Sequence, residues 1–181
     1  MKNLETLTKD QASPASKEIF ENLEKKIGMV PNIYATIGNS APALKATLAL
    51  GETLGTGEYS GKEIEAIALA VAQANECGYC LAAHTAIGKG QGLTLEDTVA
   101  IRNGEIKDTK LKALTDLTKS ITVTRGYPKQ NLINGFFEAG YNKAALAELI
   151  GHIALNTITN YTNHIAETAI DFPIAPELAE A

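Results

Sequence analysis

The chain is poor in cysteine: among 181 residues there are two, Cys77 and Cys80. Two cysteines cannot build the multi-bridge scaffold of a small secreted domain. A bridge spanning two intervening residues would also restrict little chain entropy, so a purely structural disulfide would stabilise little. Basic runs are missing, none being longer than Lys25-Lys26, and the formal net charge is -5 with a pI near 5.3. That balance lacks the footprint of a nucleic-acid binder. The longest wholly apolar run covers residues 66–72, far short of the ~20 residues of a membrane span. The start, Met1-Lys2-Asn3-Leu4-Glu5, carries no apolar region of a secretory signal. These absences predict a soluble, cytoplasmic protein. In a reducing compartment an isolated cysteine pair is catalytic or metal-binding far more often than it is a staple.

Apolar content is ample, with 45% hydrophobic residues, enough for one cored domain and short for two. A single domain over residues 1–181 is expected, without linkers or low-complexity segments. Helix signals recur throughout. Ser13-Pro14 pairs a cap with proline at the first helical position, and Gly28 stops that segment. Pro31 opens a short piece ending near Gly38, and Ser40 caps a helix that Gly55 and Gly57 end. Ser60 and Glu63 form a capping box ahead of Ile64, Ile67, Ala68, Val71 and Ala72, whose spacing marks a buried face. Cys77 or Gly78 opens the next helix, Thr94 with Asp97 another, and Leu111, Leu114, Leu117 and Ile121 continue the helical period. Pro128 begins a helix up to Gly140, and Asn142 caps a long last one. No alternating strand pair with a hairpin turn occurs. The expected fold is all-α, a bundle built from helix hairpins. The helix starting near Ile64 is apolar on more than one face, so it must be buried on most sides. Burial in an oligomer interface is one way to achieve that. Phe172-Pro173-Ile174-Ala175-Pro176 is expected as a non-helical tail laid over a neighbour.

Chemistry concentrates in Glu65, Cys77, Cys80 and His84. Two thiols one helical turn apart can close a disulfide. Cys77 is expected at a helix start with Cys80 in the first turn, where backbone N–H groups and the helix dipole favour a thiolate. His84 lies four residues beyond Cys80 on the same face and can shuttle a proton. If the helices fold back around residues 75–77, Glu65 lies ~15 Å before the turn and His84 ~12 Å after it, at about 1.5 Å per residue. Glu65 can then hold one ring nitrogen and raise the basicity of the other. A thiolate so placed can attack a peroxide oxygen, form a sulfenic acid, condense with the second cysteine and be reset by an external dithiol. Proximity to His84 favours Cys80 as the attacking sulfur and Cys77 as the resolving one. The reverse order stays open, because Cys77 lies nearer the helix end.

The spacing Glu65-x11-Cys77-x2-Cys80-x3-His84, in the setting Asn75-Glu76-Cys77-Gly78-Tyr79-Cys80, resembles the alkylhydroperoxidase D-like branch of the carboxymuconolactone decarboxylase family. The resemblance is strongest over about residues 44–124 and extends to Val30-Pro31-Asn32-Ile33-Tyr34 and to 156–173. It implies a helical bundle assembling as a homotrimer or homohexamer, and peroxidase activity toward hydroperoxides without any cofactor. By it, Cys80 would be peroxidatic, Cys77 resolving, and Glu65 with His84 the proton relay. The reductant would be an external dithiol, a protein or a lipoyl group. The best-known members carry a second histidine between the cysteines, where this chain has Tyr79. Tyr79 is a further candidate by position, although a phenol is a poor base near pH 7. Decarboxylases of the family lack the cysteine pair, which disfavours lactone chemistry here.

Other readings stand beside that one. The same thiols could serve a general thiol-disulfide oxidoreductase or a non-catalytic redox sensor. Cys77, Cys80 and His84 could bind zinc if Glu65, His152 or His164 completed the set. His152 and His164 are simplest as core or surface histidines. Asn156, Asn160 and Asn163 form a stripe that could line a pocket, contact a subunit or face solvent. Tyr34, Tyr141 and Tyr161 are simplest as packing residues with a polar tip.

Overall fold

The computed structural model describes residues 4–178. Among them are nine helices and no strand: α1 (Pro14–Ile27), α2 (Asn32–Ile37), α3 (Ala41–Leu54), α4 (Gly61–Ala74), α5 (Gly78–Gly90), α6 (Leu95–Asn103), α7 (Thr109–Thr124), α8 (Gln130–Glu138) and α9 (Lys143–Ala166). The all-α expectation holds, and its start signals act as caps. Ser13 accepts from the Ser16 N–H, and Gly28 ends α1 at a φ of 80°, the left-handed conformation that costs glycine least. Both halves of the Ser60–Glu63 box form, as does the Thr94–Asp97 box. Asn142 caps α9 by accepting from the Ala145 N–H. At Pro128 the structure departs from expectation. The Tyr127 N–H donates to Thr124 Oγ1 at 3.1 Å, extending the turn after α7. Lys129 is therefore the extended N-cap residue, and the helix starts at Gln130.

Helix α4 is the centre of the bundle, packed against α5, α6, α7 and α9. Ala66, Ile67, Leu69, Val71 and Ala72 are completely buried there. Its alanines let four helices approach closely on different sides, so one chain covers an all-round apolar helix. An oligomer interface is not needed to bury α4. The C-terminal segment packs on its own chain. Phe172 packs edge-on against Tyr79 with ring centroids 5.8 Å apart, and Arg102 Nη1 donates to the Pro176 carbonyl at 2.6 Å.

The α4–α5 hairpin positions the chemistry. Glu76 takes a φ of 57°, reversing the chain within a few residues. The Cys77 N–H then donates back to the Ala72 carbonyl at 2.9 Å. This tight reversal sets Cys77 down as the N-cap residue of α5.

Candidate active site

The hairpin closes as its length suggested. Glu65, on buried α4, and His84, on α5, meet through Oε2 and Nδ1 at 2.8 Å. Burial disfavours the imidazolium, but the Glu65 charge and hydrogen bond override it and hold the His84 pKa above its ordinary value. With Nδ1 engaged, Nε2 is the ring nitrogen left to serve a ligand.

Both cysteines are free and buried, Cys77 at 1% and Cys80 at 3% exposure. Cys77 Sγ accepts the Cys80 backbone N–H at 3.4 Å, so this sulfur is itself the helix cap. Its pKa is pulled down to about 6, foremost by a hydrogen bond from the Cys80 thiol. The Cys80 N–H and Asn163 add to this, while burial opposes it. Cys80 is pushed up by donating that bond, by burial and by the charge on Cys77. The pair thus shares one proton, and the first negative charge falls on Cys77. Reasoning from distance to His84 favoured Cys80, because spacing alone does not reveal which sulfur caps the helix. Among the described residues no hydrogen bond joins His84 to either sulfur.

Access runs the other way. A cavity of about 550 Å³ is lined by Glu65, His84, Tyr34, Asn156 and Thr159, with apolar walls that include Leu48 and Ile87. Cys80 Sγ lies 3.9 Å from Thr159 Oγ1 in that lining. Neither sulfur lines the cavity; Cys80 is the one that abuts its wall, behind Thr159, and Cys77 is the better ionised one.

The asparagine stripe is not a solvated face. Asn156, Asn160 and Asn163 are all buried, and Asn163 Nδ2 reaches Cys80 Sγ at 3.3 Å and Cys77 Sγ at 3.8 Å. Their spacing of three and four in α9 was the visible signal, but only packing tells which face of a helix is covered. Tyr34 lines the same cavity, and burial raises its phenol pKa.

Tyr79 points elsewhere. Its hydroxyl donates to Asp171 Oδ1 at 2.6 Å and accepts from the Ile33 N–H at 3.2 Å. Asp171 also accepts from the Asn32 N–H at 2.8 Å. Burial, then the Asp171 bond, pushes the phenol pKa up, so Tyr79 is a clasp for the C-terminal segment. Tyr79→Phe should accordingly cost about 1–3 kcal/mol in urea unfolding, by leaving the Ile33 N–H unpaired. It should leave single-turnover oxidation of the thiols within about twofold of the parent. A loss of stability without a loss of rate is the signature of the clasp.

His152 is buried and neutral by burial, edge-on to Tyr59 and in the cavity lining, with Nε2 unpartnered. His164 is exposed on α9, and its charge helps lower the Cys77 pKa. Neither completes a zinc site. Among the described residues no group of three or more His, Cys, Asp or Glu could hold a metal ion.

Residues 41–106 match the carboxymuconolactone decarboxylase family, a stretch that contains Glu65, Cys77, Cys80 and His84. Over this segment the chain is similar to that family. The fold agrees with solved structures of the alkylhydroperoxidase D type. The alkylhydroperoxidase AhpD core of an uncharacterized peroxidase-related protein from Ralstonia eutropha JMP134 superposes with a TM-score of 0.81 at 17% identity, covering 92% of this chain and 90% of that one. An uncharacterized peroxidase-related protein from Silicibacter sp. TM1040 gives 0.77 at 22% identity, covering 93% and 92%. The debrominase Bmp8, solved as a cysteine-to-alanine variant with 2,3,4-tribromopyrrole, gives 0.79 at 17% identity, covering 94% and 92%. No curated protein matches the chain significantly in sequence. At these identities the structures establish the fold of this chain and leave its reaction to be argued from its own residues.

Proposed function

We propose that this protein is a dithiol peroxidase, taking a hydroperoxide as oxidant and an external dithiol as reductant. The observation that carries the reading is the Glu65–His84 pair at 2.8 Å lining a cavity whose wall at Thr159 is backed by Cys80. Cys80 passes its thiol proton to the Cys77 thiolate and becomes the nucleophile. Its sulfur attacks the terminal peroxide oxygen, the O–O bond breaks, and the alkoxide leaves with a proton from His84. Cys80 is now a sulfenic acid. The Cys77 thiol condenses with it, giving a disulfide and water. A protein or lipoyl dithiol then returns both electrons by exchange. The test is peroxide consumption by purified protein with dihydrolipoamide or a small protein dithiol in excess. Turnover far beyond one peroxide per chain supports the enzyme, whereas oxidation that stops after one supports a redox sensor.

A second reading rests on cavity size. A volume of about 550 Å³ with mostly apolar walls exceeds what hydrogen peroxide requires. The structurally similar Bmp8 is a debrominase. The same dithiol could reduce a halogenated ring, sulfur taking the halogen, the ring gaining a proton, and the second thiol displacing halide to form the disulfide. Halide release from a bromopyrrole with no peroxide present would favour it.

Assembly as a trimer or hexamer and a cytoplasmic location belong to the same proposal. Ile150, Ile158, Tyr161 and Ile165 leave one face of α9 exposed and apolar, which supports self-association. Among the described residues no helix is long and apolar enough to cross a membrane.

A further inference from the structure

Two buried amides beside the sulfurs are only partly used in the resting site. Asn160 is completely buried, and its Oδ1 accepts from Asn75 Nδ2 at 2.9 Å. That bond fixes the amide and leaves Nδ2 buried without a hydrogen-bond partner. Asn163 Nδ2 sits between the sulfurs, 3.3 Å from Cys80 and 3.8 Å from Cys77. A buried amide donor left unpaired is costly, and persists where some other state of the site uses it. The shorter Asn163 contact goes to Cys80, although the first charge belongs to Cys77. Asn160 likewise favours the Cys80 thiolate over its thiol. These donors suit a charge that is not yet there, the arrangement by which a site stabilises a developing anion without reorganising.

We infer that Asn160 and Asn163, the former braced by Asn75, form an amide cradle for the Cys80 thiolate that arises when the Cys80 proton passes to Cys77. Asn163 touches both sulfurs and can follow the charge across, and Asn160 serves Cys80. The inference rests on the dithiol reading of the site but not on the oxidant. The other titratable groups within influence of the sulfurs are His164 on α9, Glu65 and His84 on α4 and α5, Tyr34 on α2, and Tyr79 with Asp171. All of them stay constant in the comparison below.

Thiolate absorbance near 240 nm, titrated against the Cys77→Ser, Cys80→Ser double variant, isolates sulfur from tyrosine. In a Cys77→Ser background the signal belongs to Cys80 alone. Asn163→Leu and Asn160→Leu should each move that titration up by about one to two pH units, the size of one lost hydrogen bond to an anion. Asn163→Asp, which keeps shape but removes both donors and adds a negative charge, should move it further. Circular dichroism identifies any variant that fails to fold, and the others then decide. An unmoved Cys80 titration in the folded variants overturns the cradle, even with full peroxidase activity. A shifted titration without peroxide turnover in the parent overturns the peroxidase and leaves the cradle standing.

Discussion

Cys80→Ser is expected to bring peroxide consumption down to the rate of a cysteine-free protein, a loss of at least about a thousandfold when the nucleophile of a concerted set is removed. Cys77→Ser should behave differently. Without a resolving thiol it should consume one peroxide per chain and stop, with a sulfenic acid trappable on Cys80 by a dione reagent. Two structural features pull against each other here, which makes the pair of variants decisive. Ionisation favours Cys77, whose sulfur caps α5 and whose pKa is pulled down to about 6 by the Cys80 hydrogen bonds. Access favours Cys80, which meets the cavity lining at Thr159. The proposed sequence reconciles them, because a thiolate at Cys77 is the nearest acceptor for the Cys80 proton. A single-turnover burst in Cys80→Ser, with the sulfenic acid on Cys77, would reverse the roles and show that ionisation outweighs access.

Helix existence was legible because its determinants are local. A cap, a proline and a glycine act within one turn, and Ser13, Ser60, Thr94 and Asn142 each cap as their positions predict. The Glu65–His84 contact was legible because a hairpin of known rise places equal arm lengths side by side. Long-range packing was not. Nothing local in Asn160 or Asn163 shows that α9 turns them onto a thiol pair 83 residues earlier in the chain. The same blindness left a subunit interface as one way to bury α4, when four helices of its own chain cover it. Tyr79 misled for a related reason. Its place between the cysteines suggested catalysis, while its hydroxyl reaches a carboxylate 92 residues away. Motif spacing constrains side chains that share one element or one tight hairpin, and says little about what a distant element brings to them.

Glu65→Gln is expected to slow peroxide reduction at pH 7 by roughly a hundredfold or more, and His84→Ala by a similar factor, the range typical of a lost proton-transfer group. Glutamine keeps an oxygen able to accept from His84 Nδ1, so this variant removes charge while retaining a hydrogen bond. The sign of the pH effect follows from that charge. In the parent, Glu65 holds the His84 pKa above its ordinary value against the pull of burial. Without that charge burial weighs more heavily, and the His84 pKa falls from its raised value. The alkaline limb of kcat/KM should therefore move to lower pH in Glu65→Gln even as its plateau drops, because the imidazolium that gives its proton to the leaving alkoxide is lost earlier. Stability should follow the same linkage. A raised histidine pKa stabilises the fold fully below the unfolded pKa, and that contribution disappears as pH rises through the folded one. The stability gap between parent and Glu65→Gln should thus be widest in mild acid and narrow above neutrality. An alkaline limb that stays in place while the rate collapses would mean that Glu65 serves packing alone, and that another group supplies the proton.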